Sequence, residues 1–219
     1  MLARISLLAL LACGAAAQTQ RGEDGDVLTA HDGRGNIGTA YNQFDGRSYS
    51  IWITRMTSTG YVVWTYQHSD GYVEKAYSTT MDQNGNLFVA GLRTIQREKH
   101  FLLIKYADNG YLAWEASDDR SDCTATTVAV DQEGGVAVAG VCRSGGAYPA
   151  RIVKYSAEGG RLWSQEYDNG GRNYVRGLQV DYQGNFSMSV ETVAGDYRDG
   201  SYATRSVTYG PTGQLLEVR

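Results

Sequence analysis

Cys123 and Cys142 carry the most specific chemistry in the chain. They flank the turn Asp131-Gln132-Glu133-Gly134-Gly135, one on each arm of a hairpin. Counting outward with Val130 opposite Val136, Thr124 opposes Cys142 and Cys123 opposes Arg143. A shift of one residue would bring the two sulfurs together, so an exported protein is expected to carry a disulfide here. In the chain-entropy model a loop of about 20 residues gives such a bond a worth of about 3 kcal/mol. Beyond this pair no catalytic residue is identified. His31, His68 and His100 share no common spacing with each other or with the cysteines, so no zinc site is expected. Serine, histidine and aspartate are present without a Gly-x-Ser-x-Gly elbow, and no glycine-rich phosphate loop occurs. No cofactor is expected.

Three sets of residues recur at fixed spacing and invite a chemical reading. Asp32, Asp82, Asp131 and Asp181 fall 50, 49 and 50 residues apart. They could form a ring of metal ligands, but each opens a turn whose amides an aspartate accepts, and none shows the Asp-x-Asp-x-Asp spacing of a calcium loop. Arg55, Lys105 and Lys154 also recur, with Thr208 in the fourth place. They could line an anion pocket, yet cations packed along a sheet and paired with carboxylates explain them as well. Trp64, Trp114 and Trp163 occupy a third recurring position, where Glu217 stands last. One indole per copy reads as packing between copies rather than as a sugar platform. Asn185-Phe186-Ser187 matches an N-glycosylation sequon, but Asn185 is also a turn residue.

These spacings define the elements. Each aspartate turn leads into an apolar run such as Leu87-Phe88-Val89-Ala90-Gly91 or Val136-Ala137-Val138-Ala139-Gly140. A strand follows carrying the basic residue (Leu103-Ile104-Lys105-Tyr106 or Ile152-Val153-Lys154-Tyr155), then Gly60, Gly110, Gly159 or Gly213, then the tryptophan. Each copy therefore reads as four short antiparallel strands closed by tight glycine turns. A single sheet of this kind leaves both faces wet, and stacking copies around an axis buries them. The fold expected is all-β: a β-propeller of four four-stranded blades at about 27–70, 71–122, 123–173 and 174–219, with 18–26 as a short lead-in. A four-bladed monomer is expected, with two chains sharing a larger ring as the alternative. Glu217, in the tryptophan's place, marks the seam.

The succession Asp-x-x-Gly-Asn, Val-Ala-Gly, Lys-Tyr, Gly and Trp resembles the SBBP-type β-propeller repeat of secreted bacterial proteins, over residues 27–217. The resemblance implies a fold and an extracellular or periplasmic location, and no common reaction.

The N-terminus agrees with export. Arg4 is followed by an apolar run and by small residues, and Ala15-Ala16-Ala17 fits cleavage of a signal peptide, 1–17, before Gln18. Leu10-Leu11-Ala12-Cys13 also fits a lipoprotein signal, 1–12, which would lipidate Cys13 and give the only expected membrane attachment. A net charge of −4 argues against nucleic acid as a partner.

In such a blade the repeated glycine turns gather at one end. Everything that varies gathers at the other: 42–50, 93–100, 143–149 and 191–202, with the crossings 67–71, 117–122 and 167–173. Phe44, Tyr49, Arg97, Tyr148, Tyr197 and Tyr202 are the candidate binding residues on this face. The function expected is a secreted or surface-anchored, non-enzymatic binding or adhesion module recognising protein or carbohydrate. The alternatives are a structural subunit of an extracellular assembly, joined through the ring seam or blade edges, and an extracellular hydrolase or lyase with a cleft at the axis.

Overall fold

The computed structural model describes residues 26–194 and 201–219. The N-terminal leader with Cys13, and Tyr197, lie outside them. Among the described residues sixteen strands form four antiparallel sheets of four, each built from consecutive strands. The first holds β1 (Val27–His31), β2 (Ile37–Phe44), β3 (Tyr49–Met56) and β4 (Val62–His68). The second holds β5 (Val73–Met81), β6 (Leu87–Ile95), β7 (Glu98–Tyr106) and β8 (Leu112–Ser117). The third holds β9 (Cys123–Val130), β10 (Val136–Cys142), β11 (Ala150–Tyr155) and β12 (Arg161–Tyr167). The fourth holds β13 (Arg172–Val180), β14 (Phe186–Ala194), β15 (Ser201–Tyr209) and β16 (Leu215–Val218). The sheets stack as propeller blades, as the repeat predicts, with β1, β5, β9 and β13 innermost.

The aspartate turns are self-contained. Asp82 Oδ1 accepts the amides of Asn84 and Asn86, and its Oδ2 accepts Asn86 Nδ2 at 2.6 Å. Asp32 and Asp181 repeat all three bonds, and Asp131 repeats the two to backbone. The recurring cations also serve packing. Lys105 Nζ donates to the Ala157 carbonyl of the next blade, and Lys154 pairs with Asp131 at 3.0 Å while lying over the Phe186 ring.

Each tryptophan is a lock between neighbours. Trp64, Trp114 and Trp163 donate their indole N–H to the carbonyls of Asp108, Ala157 and Pro211, each in the β-turn of the following blade. The rings lie against Gly110, Gly159 and Gly213, so closely that a Cβ on those glycines would meet them at 2.8–3.0 Å. They also face Tyr106, Tyr155 and Tyr209. Three apolar clusters accompany the three locks, joining blades one to two, two to three and three to four.

Among the described residues no fourth cluster joins blade four to blade one. The positions that in other blades hold Phe88, Ala90, Leu103 and Trp114 hold Ser187, Ser189, Ser206 and Glu217 in the fourth. On the first blade, Thr39, Thr54 and Met56 stand where the second has Val89, Ile104 and Tyr106. Nothing lies within 4 Å of where a Cβ on Gly60 would be. The fourth blade is thus capped by a polar outer face, as terminal repeats in a solenoid are. The first instead keeps Ile37, Tyr41, Trp52 and Met56 beside its two threonines, with Tyr41 and Trp52 stacked 6.3 Å apart.

Two features escaped the repeat. The segment 93–100, expected as a loop, continues β6 and β7 to a two-residue turn at Gln96 and Arg97, both at positive φ. Likewise β2 and β3 extend to Phe44 and Tyr49. The innermost strands also carry bulges, at Tyr77 in β5, Thr126 in β9 and Arg176 in β13. Opposite the first two, Gly91 and Gly140 leave room for the displaced backbone: a Cβ there would lie about 2 Å from the Lys75 or Thr124 carbonyl oxygen.

Candidate functional site

The bulges decide what faces the axis. An extra residue turns a side chain out of the alternation between blade faces, and Tyr77, Thr126 and Arg176 all border one cavity of about 330 Å³. Its remaining wall is Thr124, Val141, Tyr148, Arg172, Asn173, Tyr174 and Val175. Most of these lie at the starts of β9 and β13 or in the β10–β11 connection, at the end of the blades that carries the variable segments.

The wall is braced from several sides. Cys123 and Cys142 are direct cross-strand partners joined as a disulfide, and their chain neighbours Thr124 and Val141 both line the cavity. Tyr148 is held by a bridge to Arg172 and by its carbonyl, which accepts Asn173 Nδ2 at 3.0 Å. Buried Asn173 in turn accepts the Thr192 hydroxyl, which itself accepts Asn169 Nδ2. Thr126 Oγ1 donates to the Val175 carbonyl and ties the third blade to the fourth.

Two arginines stack on tyrosines at the cavity. The Arg172 guanidinium lies 4.5 Å from the centre of the Tyr148 ring and donates to its phenol oxygen at 3.3 Å. Hydrogen bonding to Tyr174 and the nearby Tyr148 oxygen hold its pKa above the ordinary value. Arg176 lies over Tyr174 and pairs with Glu191 at 2.7 Å. Three tyrosines, the Thr124 hydroxyl and two guanidiniums make a surface for stacking and hydrogen bonding, while the Asn173 amide and the Thr126 hydroxyl are engaged within the wall.

The sequence-selected residues distribute unevenly over this face. Tyr148 belongs to the cavity. Phe44 and Tyr49 pair at the tip of the first blade with ring centres 4.9 Å apart, and Lys75 Nζ sits 3.6 Å from the Tyr49 ring centre. Arg97 occupies the tip of the second blade and exposed Tyr202 the rim of the fourth. Tyr77, Arg172, Tyr174 and Arg176 were missed, since none recurs between copies and strand alternation does not reveal a bulge.

A second polar centre lies between blades one and two. Arg93 binds Glu74 at 2.6 Å, Asp70 at 2.7 Å and Glu115 at 3.0 Å. His68 Nε2 sits 3.3 Å from Glu74, and its Nδ1 lies 3.1 Å from the Tyr106 phenol. Burial pushes the Glu74 carboxyl up to about 7 against the pull of Arg93, and depresses His68. A carboxyl poised there has the pKa of a general acid–base. Glu74 is only 1% exposed, however, and is enclosed by its partners, so no reactant reaches it. The same end of the next interface repeats the theme, with Arg151 held by Asp118 and Glu166.

No family model matches the chain, and no curated protein matches it. Among solved structures, MPT-4, a mannose phosphorylase from Leishmania mexicana solved with phosphate ion, aligns over 91% of this chain and 73% of its own. The identity is 13% and the TM-score 0.38. The fold described above rests on the sheets and their packing, independently of this likeness.

Proposed function

We propose that this protein is an exported, non-enzymatic recognition module that takes the end of a carbohydrate into the cavity beside the propeller axis. The observation that carries the reading is the tyrosine-rich wall assembled from three bulged strands and braced by Cys123–Cys142. A volume of about 330 Å³ is at the low end of the roughly 300–1,000 Å³ usual for small-molecule sites. It suits a short saccharide end rather than a helix or strand. Tyr148 and Tyr174 offer rings for stacking, and prior fixing of the wall reduces the ordering cost of binding. The leader sequence and the cysteine pair support export.

A glycan-binding screen followed by titration calorimetry tests this. At least one saccharide should bind, and Tyr148→Ala should weaken it about tenfold or more, the order of a lost aromatic contact. Absence of any saccharide ligand, or affinity indifferent to Tyr148→Ala, would reject the reading.

A second reading, a subunit of an extracellular assembly, draws on the blade edges. Exposed Tyr61, Val62, Tyr111, Leu112, Leu162 and Leu215 repeat along the outer strands and their turns.

A further inference from the structure

We infer that the saccharide accepted by this cavity is acidic, a hexuronate whose carboxylate is received by Arg172. The inference rests on the proposed binding role of the cavity and adds the chemical class of its ligand.

The contrast between arginines carries it. At the variable end of the blades, Arg93 is satisfied by Glu74, Asp70 and Glu115, and Arg151 by Asp118 and Glu166. Arg176, at the cavity, is matched by Glu191. Arg172 differs from these three: among the described residues no carboxylate lies within ion-pair distance of it, and its partners are tyrosines. Unlike Arg47, Arg97 and Arg143, which also lack an ion pair at this end among the described residues, it lines the cavity. Among the described residues the cavity wall contains two arginines and neither aspartate nor glutamate. In a chain of net charge −4 this is a local excess of positive charge.

Geometry narrows the anion further. The Tyr148 ring and phenol oxygen hold the Arg172 guanidinium at the cavity, and its remaining N–H groups can meet a carboxylate in a bidentate fork. The bridge between Tyr148 and Arg172 makes the stack part of the backbone architecture rather than a chance of two exposed side chains. Tyr77 and Tyr174 border the same space, so a carboxylate on Arg172 leaves the attached ring among aromatic surfaces, with the Thr124 side chain on the same wall. A free carboxylate alone would not use those surfaces; a uronic acid ring uses both.

The test is calorimetric titration of the whole exported protein with oligogalacturonate, glucuronate-containing and mannuronate-containing oligosaccharides. Their neutral counterparts and methyl-esterified oligogalacturonate, which keeps the ring and removes the charge, serve as controls. We expect one acidic series to bind and its ester or neutral counterpart to bind at least about tenfold more weakly, the effect of losing a charge-assisted hydrogen bond. Arg172→Gln should erase that preference. Arg34→Gln, which removes the same charge from the exposed turn between β1 and β2, should leave it intact. Equal affinity for acid and ester, or a preference that survives Arg172→Gln, would overturn the acidic assignment while leaving saccharide binding in place. Binding of no member, acidic or neutral, would overturn both.

Discussion

Cys123 and Cys142 face each other across β9 and β10 because Thr126 bulges out of β9 between them and the Asp131 turn. Simple counting from that turn opposes Cys123 to Arg143, and the bulge supplies the missing residue. The same cross-strand position is filled differently in each of the three bulged blades: Glu74 with Arg93 in the second and Asn173 with Thr192 in the fourth. An ion pair, a disulfide and a hydrogen bond each pin the first two strands of a blade just beyond the bulge.

Replacing Cys123 and Cys142 together by Ser should therefore lower stability by about 3 kcal/mol, from the loop closed by a separation of 19 residues. Denaturant unfolding measures this directly. Because Thr124 and Val141 line the cavity, ligand affinity should fall in the same variant. Unchanged stability would mean that the pair contributes nothing to the blade.

The interblade locks make a graded series. Trp114→Ala should cost about 3–5 kcal/mol through the cavity it leaves between blades two and three. Gly159→Ala adds a methyl 2.8 Å from the Trp114 ring at φ +88°, whereas Gly60→Ala adds one at the same φ into open space. The second should cost about 1–2 kcal/mol for backbone strain alone, and the first about 1–3 kcal/mol more for overpacking. Equal costs for the two glycines would imply that an unseen partner covers Gly60.

Much of this architecture is legible in the sequence, for a reason visible in the locks. An aspartate turn, a glycine at positive φ and a tryptophan serve the same local need in every copy, so they recur and can be aligned. The disulfide was legible to within one residue. The cavity was not, apart from Tyr148, because its wall is assembled from residues that differ between blades. Tyr77, Thr126 and Arg176 hold one structural position with three unrelated side chains. A bulge leaves no mark in apolar alternation beyond the glycine opposite it, and Gly91 and Gly140 read equally well as ordinary small residues. The expected loop 93–100 failed for a related reason: Arg93 looks like a surface cation until Glu74, Asp70 and Glu115 surround it.

The burial of that cluster predicts a pH dependence of stability with a definite sign. The Glu74 carboxyl is raised from 4.5 to about 7 in the fold, so between those values the folded state binds a proton that the unfolded chain releases. Its contribution is fully present below about pH 4.5 and is lost as pH rises through about 7. His68, depressed by burial, acts oppositely and is lost as pH falls below its ordinary value. Comparing wild type with Glu74→Gln isolates the carboxylate. From pH 5 to pH 8 the difference in unfolding free energy should move in favour of the variant by on the order of 2–3 kcal/mol. A difference that is flat with pH, or moves the other way, would show that Arg93 holds Glu74 ionised throughout.

The open seam makes the final expectation. β8 and β16 are equivalent outer strands, yet Trp114 anchors β8 to the Ala157 carbonyl while Glu217 leaves β16 without that anchor. Ser187 and Ser206 behind β16, and Thr39 and Thr54 on the face of the first blade, present hydroxyls where the other interfaces bury hydrocarbon. The hydroxyl-lined face of blade four gains little from meeting blade one, and wetting it costs little. Amides of Leu215–Val218 should therefore exchange at least about tenfold faster than those of Leu112–Ser117, reflecting local opening rather than global unfolding. The ratio should not change between dilute and concentrated protein, and light scattering should report a monomer at both. Equal protection in the dilute monomer would mean that blade four is locked as firmly as the others and the seam is closed. Protection that grows with concentration would instead mean that a second chain completes the ring, with the hydroxyls of Ser206 and Thr54 hydrogen-bonded across the joint.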